Sequence, residues 1–431
     1  MEKFSIIPRN LYMEIIFHVL DNDNLMIVTG VRRSGKSCIA EQLETELRAR
    51  FKDDVQIVRY NFERINATRS TADYLIEGYK TQHIEGKKCY VLLDEITHVV
   101  DWVRAVNYIN SDADCKLILF SSNRRVISQD LIAITENRYD VIHVFPLSLN
   151  EFIDFQGFHE ISSPETPFCS KRYMRYDDRI YTLEEIYKYY ITYGGLPVLK
   201  PEYMDEERAW VIADGSYAVV VTRDILELGS GNGTHAVTDP TVLRTIILIL
   251  AESIGKNISA TWVAKRTVEY LHRPCTTKTV ESYMRAIINA NLFYIAERYD
   301  IHRKQFLKTY AKYYIVDAGL HNYITGVRKE DENSLLENKV FFELLRRGYQ
   351  VSSGKRWNDE ICLIAKRGDE NAFIQIGNRN EEGNLDHLIV PLKRIPDNSP
   401  KIVVTSESES KKTDDGTIII NSLDFLMGRT W

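Results

Sequence analysis

The chain has 431 residues, 44% hydrophobic and 27% charged, an ordinary globular composition that is too long for one core of about 100–200 residues. Its 55 Lys and Arg against 61 Asp and Glu give a formal net charge of −6, which excludes a uniformly basic nucleic-acid coat but leaves room for a basic patch on one domain. No run approaches the roughly 18 apolar residues of a membrane span, and the start, MEKFSIIPRNLYMEII, lacks the pattern of a secretory signal, so a cytoplasmic protein is expected. The cysteines Cys38, Cys89, Cys115, Cys169, Cys275 and Cys362 stand singly, without the C-x-x-C spacing of a zinc site or the framework of a disulfide-rich domain.

The first informative stretch is LMIVTGVRRSGKSCIAEQLETELRAR. It reads as an apolar strand over 25–29, a turn from Gly30 to Gly35 and a helix from Lys36. Gly30, Val31, Arg32, Arg33, Ser34, Gly35, Lys36 and Ser37 fit G-x-x-x-x-G-K-[ST], with Cys38 following in the helix. The two glycines let backbone N–H groups approach phosphate oxygens, Lys36 neutralises β/γ charge, Ser37 supplies a hydroxyl ligand to Mg²⁺, and the helix start adds its positive dipole. ATP and Mg²⁺ are the ligands this implies.

A second apolar strand, Tyr90 to Leu93, ends in Asp94-Glu95. Acidic residues at the carboxyl end of a buried strand beside a phosphate loop can hold the cation, as Asp94, and polarise the attacking water, as Glu95. A third strand, Lys116 to Ser121, runs into Ser122 and Asn123, whose amide can orient that water. A helix over 126–137 then leads to Arg138 and a strand over 141–145.

This order of phosphate loop, Asp-Glu strand, strand ending in Asn, and helix ending in Arg resembles the AAA+ ATPase superfamily. More narrowly, the chain is similar to the bacterial and archaeal AAA-type ATPases that carry a C-terminal domain of unknown function with a restriction-endonuclease-like fold. PLSLNEF at 146–152 and YYITYGGLPVL at 189–199 also resemble segments of that narrower family. The resemblance implies Asn123 as sensor and Arg138 as an arginine finger reaching a neighbouring subunit, hence a homo-oligomer. Arg32, Arg33, Arg124 and Arg125 are rival positive charges.

Beyond the core, residues 156–238 are expected to form a mostly helical lid and linker, with Asp224 on a solvated helix face and GSGNGTHAVTDP as a flexible joint. Residues 239–328 show three helices followed by two strands, the pattern of a winged helix. Residues 241–326 hold 12 Lys and Arg against 6 Asp and Glu. Lys278 and Arg285 fall on the third helix, and Arg298, Arg303, Lys304, Lys308 and Lys312 on the hairpin. Double-stranded DNA and a protein partner both remain open, and Tyr283, Phe293, Tyr294, Tyr310, Tyr313 and Tyr314 read as core residues rather than stacking platforms.

The order of elements over 329–431 resembles the core of PD-(D/E)xK nucleases, with Glu337 as an accessory ligand. Where that pattern needs Asp, acid-x-Lys, the chain has Cys362 and Gln375-Ile376-Gly377. A thiol, an amide and a glycine do not make a hard-cation site. Asp359 and Glu360 would serve only in a shifted register, since neighbouring side chains of a strand face opposite ways. The expectation is therefore an α/β protein: a P-loop ATPase core (1–155), a lid, a winged helix, and a degenerate nuclease-like domain without cleavage activity. Its function is Mg²⁺-dependent ATP hydrolysis coupled to conformational change; the alternative is a slow nucleotide-gated switch that acts on a protein partner.

Overall fold

The computed structural model describes residues 7–63, 71–127, 129–135, 138–163, 166, 170–199, 206–227, 237–379, 383–407 and 409–431. They divide into two compact units: residues 1–144 with 289–291, and residues 145–288 with 292–431.

Unit 1 runs α1 (Asn10–Val19), β1 (Leu25–Thr29), α2 (Lys36–Phe51), β2 (Gln56–Asn61), α3 (Ala72–Gln82), β3 (Cys89–Asp94), α4 (Trp102–Asn110), β4 (Cys115–Ser121), α5 (Gln129–Thr135) and β5 (Tyr139–His143). The five strands form one parallel sheet in the order β2-β3-β4-β1-β5. Successive side chains of a strand face opposite ways. Met26, Val28, Tyr90, Leu92, Ile118 and Phe120 therefore pack against Ile16 of α1 and Ile39, Leu43 and Leu47 of α2. Leu25, Ile27, Val91, Leu93, Leu117 and Leu119 pack on the other face against Leu75 and Tyr79 of α3 and Ala105, Val106 and Ile109 of α4. Both faces being covered, the strands read as continuous apolar runs, which is why β1, β3 and β4 are visible in sequence.

Edge strand β2 is not, because its QIVRYN carries polar residues at half-covered positions. The helix expected over 126–137 is a 3₁₀ turn, Arg124–Val126, followed by the shorter α5, and β5 begins two residues before the expected strand.

Unit 2 opens with α6 (Leu149–Phe155), whose start inside the PLSLNEF run is a capping box between Ser148 and Glu151. The stretch expected to be mostly helical begins instead with a small antiparallel sheet of β6 (His159–Glu160), β7 (Arg172–Met174) and β8 (Ile180–Thr182). It leads to α7 (Leu183–Tyr193). The glycines that end α7 are dictated by packing: Gly194 has φ +85°, and a Cβ there would lie 2.0 Å from Asp317 Oδ1. Asp317 also accepts the Gly195 N–H at 2.7 Å.

Helix α8 (Glu206–Val219) passes into a π-helical stretch, Val220–Glu227. There Asp224 is only 2% exposed, which corrects its expected place on a solvated face: the π register turns it inward. The joint expected over 229–240 lies, up to residue 236, outside the described residues.

Next come α9 (Pro240–Ala251), α10 (Ala260–Leu271), α11 (Thr277–Asn289) and the antiparallel pair β9 (Phe293–Asp300) and β10 (Gln305–Ile315). The chain ends with α12 (Ala318–Thr325), α13 (Glu332–Arg346), β11 (Gln350–Arg356), β12 (Asp359–Arg367), β13 (Glu370–Ile376), α14 (Asp386–Lys393), β14 (Lys401–Thr405), β15 (Lys411–Lys412), β16 (Ile418–Asn421) and α15 (Ser422–Leu426). Strand β9 pairs in parallel with β11, so the hairpin continues one eight-stranded mixed sheet, β10-β9-β11-β12-β13-β14-β16-β15. No helix among the described residues is long and apolar enough to cross a membrane.

Candidate nucleotide site

The parallel register of unit 1 brings the carboxyl ends of five strands level. Asn61 stands opposite Asp94, and Thr29 opposite both Ser121 and His143. Along this edge the turn after β1 doubles back into α2. Gly30 is required for close approach, since a Cβ there would lie 2.1 Å from the Val144 carbonyl oxygen, and Gly35 for its φ of +97°. Val31 and Ser34 are buried, Arg33 and Cys38 exposed, and Ser37 lies on the first turn of α2.

Lys36, 4% exposed, donates to the carbonyls of Gly30 at 2.9 Å and Val31 at 3.1 Å, and its ammonium lies 3.9 Å from Glu95 Oε1. Glu95 adopts φ +55° just past β3. Its Oε2 accepts both the N–H (3.1 Å) and the hydroxyl (3.0 Å) of Ser122. Burial pushes the Glu95 carboxyl up, but Lys36, Arg32 and the Ser122 N–H outweigh it and hold the group below the usual carboxylate range. Glu95 is thus an anion at neutral pH despite being buried.

Asp94 titrates in the other direction. Burial raises its pKa, against the Ser37 hydroxyl and Lys36, which favour the anion. One oxygen, Oδ2, accepts from Asn61 Nδ2 at 2.9 Å, whereas Oδ1 is buried with no hydrogen-bond partner among the described residues. A buried carboxylate oxygen left in this state is costly unless a cation or water completes it. With Ser37 and a hard-oxygen donor set, Asp94 fits Mg²⁺.

Asn123 is 1% exposed, and its side-chain carbonyl accepts the Arg125 N–H at 2.9 Å, capping the 3₁₀ turn. Arg138 is exposed at the other end of the sheet: its carbonyl accepts from Leu25, the first residue of β1, while the phosphate loop follows the last. It is not brought to the loop of its own chain. Of the rival cations, Arg32 is drawn inward, 5% exposed, bonded to Glu63 and 3.4 Å from both the Ser122 hydroxyl and His98 Nε2.

Sequence reasoning missed several residues here. Asn61 sits on the unrecognised strand β2, Arg59 donates to the Ser37 carbonyl at 3.2 Å, and buried Arg9 donates to the Ser34 carbonyl at 3.0 Å. Their only sequence signal is a polar residue near an element end, which many other positions share.

In unit 2, five of the seven hairpin and helix cations are exposed: Lys278, Arg285, Arg303, Lys304 and Lys308. Lys312 is not part of a surface patch. It is 6% exposed and pairs with Glu337 at 2.7 Å, an oxygen that Tyr314 also donates to at 2.6 Å. Arg298 pairs with Glu360 and Arg394 with Asp359, so both carboxylates are already matched within the chain. Gln375 spends its amide on the Cys362 N–H and the Glu360 carbonyl. Tyr283, Phe293, Tyr294, Tyr313 and Tyr314 are buried as expected, whereas Tyr310 is 46% exposed. It lines a cleft of about 760 Å³ with Trp262, Lys265 and Lys308, where Glu281 and Glu297 offset the lysines.

Comparison with known proteins bears on both units. Residues 22–153 match the AAA domain model, and residues 184–331 match a domain of unknown function (DUF8612). An uncharacterized protein of Haemophilus influenzae is 30% identical over 98% of this chain and 99% of its own length. The chain belongs to that protein's family and carries an AAA domain. Strands β1 to β5 all lie within the AAA domain, and its parallel sheet and phosphate loop mark a nucleotide-binding AAA+ ATPase domain. An uncharacterized protein of Methanocaldococcus jannaschii is 23% identical over 88% of this chain and 77% of its own length. Among solved structures, Cdc6p of Pyrobaculum aerophilum (12% identity, 75% of this chain and 95% of that one, TM-score 0.30) and the Aeropyrum pernix Orc1 protein in complex with DNA (13%, 74% and 93%, TM-score 0.29) are distant neighbours of the AAA protein.

Proposed function

We propose that this AAA protein hydrolyses ATP with Mg²⁺ at the carboxyl edge of the unit 1 sheet and uses turnover to drive a conformational change. The observation that carries this reading is the convergence on one strand edge of Lys36, the Glu95 carboxyl 3.9 Å from it, and Asp94 Oδ1, which has no hydrogen-bond partner among the described residues. Gly30 to Ser37 would cradle the phosphates, and Ser37 and Asp94 would hold the cation. Mg²⁺, when bound, neutralises developing phosphate charge. Glu95, locked by Ser122, would take the proton of the attacking water, and Asn123, its rotamer set by the Arg125 cap, would position that water.

The exposure of Arg138 at the opposite end of the sheet supports a role in trans. Arg138→Ala is expected to lower turnover by about 10³-fold with little change in nucleotide affinity, the scale of a lost arginine finger. Mixing it with a Lys36→Ala chain, inactive by itself, should restore part of the activity by pairing an intact loop with an intact finger. No recovery on mixing would remove the trans role.

We read residues 1–155 as the ATPase core, 156–238 as lid and linker, 239–328 as a winged helix and 329–431 as a degenerate nuclease-like domain. The ion pairs that satisfy Glu337, Asp359 and Glu360 support the last of these, because they supply from within the chain the charge a metal would bring. For DNA contact, five exposed cations remain once Lys312 and Arg298 are set aside. The experiment is steady-state ATP hydrolysis by the full chain, with and without double-stranded DNA, at two salt concentrations. Turnover stimulated by DNA and weakened by salt supports a DNA-coupled ATPase. Turnover indifferent to DNA points to a protein partner, and tight nucleotide retention without turnover overturns hydrolysis in favour of a nucleotide-gated switch.

A further inference from the structure

Residue Asn291 belongs by its contacts to unit 1, although it lies outside the segment 22–153 matched by the AAA domain model. It follows α11 in the left-handed region, φ +56°, a conformation that Asn tolerates better than most residues and commonly adopts just past a helix end. An asparagine in that role usually stays in water. Here it is 0% exposed.

Three hydrogen bonds of the side chain, among the described residues, reach the strand edge already described. Nδ2 donates to the Ser122 carbonyl at 2.9 Å and to Thr29 Oγ1 at 3.3 Å, and Oδ1 accepts from Arg124 Nε at 2.7 Å. Thr29 is the last residue of β1, from which the phosphate loop springs. Ser122 is the residue whose N–H and hydroxyl together hold Glu95 Oε2. One amide therefore braces both the root of the loop and the support of the proposed base. The pattern needs a primary amide: two donors for two oxygens and one acceptor for a guanidinium, which no carboxylate, hydroxyl or apolar side chain of similar size provides.

We infer that Asn291 is a positioning residue for hydrolysis, acting through Ser122 on Glu95. The inference rests on Glu95 being the base. Loss of the amide lets the Ser122 peptide shift, and with it the carboxylate. Displacement of a reacting group by about 1 Å is enough to cost on the order of 10²-fold in rate. Because the cradle itself comes from Gly30 to Ser37, nucleotide affinity is largely spared.

The test uses two substitutions in the full chain. Asn291→Gly removes the side chain and keeps the left-handed backbone accessible; Asn291→Asp keeps the shape and the acceptor for Arg124 but sets an oxygen against the Ser122 carbonyl. Thermal melting establishes that each is folded, titration with a fluorescent ATP analogue gives affinity, and single-turnover hydrolysis gives the rate. Both are expected to lose at least about tenfold in rate with affinity within about threefold of wild type.

In a Glu95→Gln background, Asn291→Gly should cost nothing more, because the group it positions is already gone. An unchanged rate, parallel loss of affinity and rate, or independent losses that multiply in the double variant would each overturn the inference. Undiminished turnover by Glu95→Gln alone would instead overturn the assignment of the base, so the two failures are told apart.

Discussion

Replacing Lys36 by alanine is expected to abolish measurable nucleotide binding, with the dissociation constant raised at least about 100-fold, or about 2.7 kcal/mol. The ammonium is 4% exposed and is held by the Gly30 and Val31 carbonyls, so it is presented from inside the turn rather than from a mobile surface chain. Its loss removes the charge proposed to meet the phosphates. It also strips Glu95 of the strongest of the cationic influences that hold its carboxyl below the usual range, so the buried group moves back up toward neutrality. Binding of a fluorescent ATP analogue measures the first effect, and an affinity within threefold of wild type would remove Lys36 from the phosphate site. Thermal melting without nucleotide controls for folding, since a stranded Glu95 destabilises the chain through a separate route.

Glu95→Gln should separate binding from chemistry. Glutamine is nearly isosteric and its carbonyl can still accept from the Ser122 N–H and hydroxyl, so the strand edge keeps its shape. The group can no longer take a proton. Turnover is expected to fall by about 10²–10⁴-fold, the usual contribution of a positioned base, while ATP affinity stays within a few fold or improves because a negative charge next to the phosphates is gone. Retained turnover in this variant would end the assignment of Glu95, and matched losses in affinity and rate would recast it as a structural partner of Lys36.

These two residues were legible in the sequence for a physical reason: each belongs to a motif whose chemistry is local. Gly30, Gly35, Lys36 and Ser37 must be spaced so that one turn points its N–H groups at one anion. The Asp94-Glu95 pair ends an apolar strand whose burial on both faces makes it conspicuous. The strand β1 was bounded to the residue by its composition, and β3 and β4 to within one.

Other features depended on register and distant packing. Asn61 reaches Asp94 only because β2 pairs with β3 in one alignment, and β2 as a half-covered edge strand lacks a clear apolar signature. Asp224 is polar and flanked by charge, so it reads as solvated until the π-helical turn carries it inward. Lys312 counts as a surface cation until Glu337, on a helix 25 residues further on, is found against it.

By itself, the sequence determined that the chain has a parallel-sheet nucleotide domain with a phosphate loop, a following Asp-Glu pair and two further polar positions at the strand ends, because short-range spacing and strand burial leave an imprint on consecutive residues. Tertiary structure alone decided which oxygen of Asp94 has no hydrogen-bond partner among the described residues, which serine holds Glu95, that Arg138 stands at the opposite end of the sheet from its own loop, and that Asn291, 169 residues after Ser122, braces the same strand edge. Those outcomes are set by pairing register and by hydrogen bonds between residues far apart in the chain, and a one-dimensional pattern carries neither.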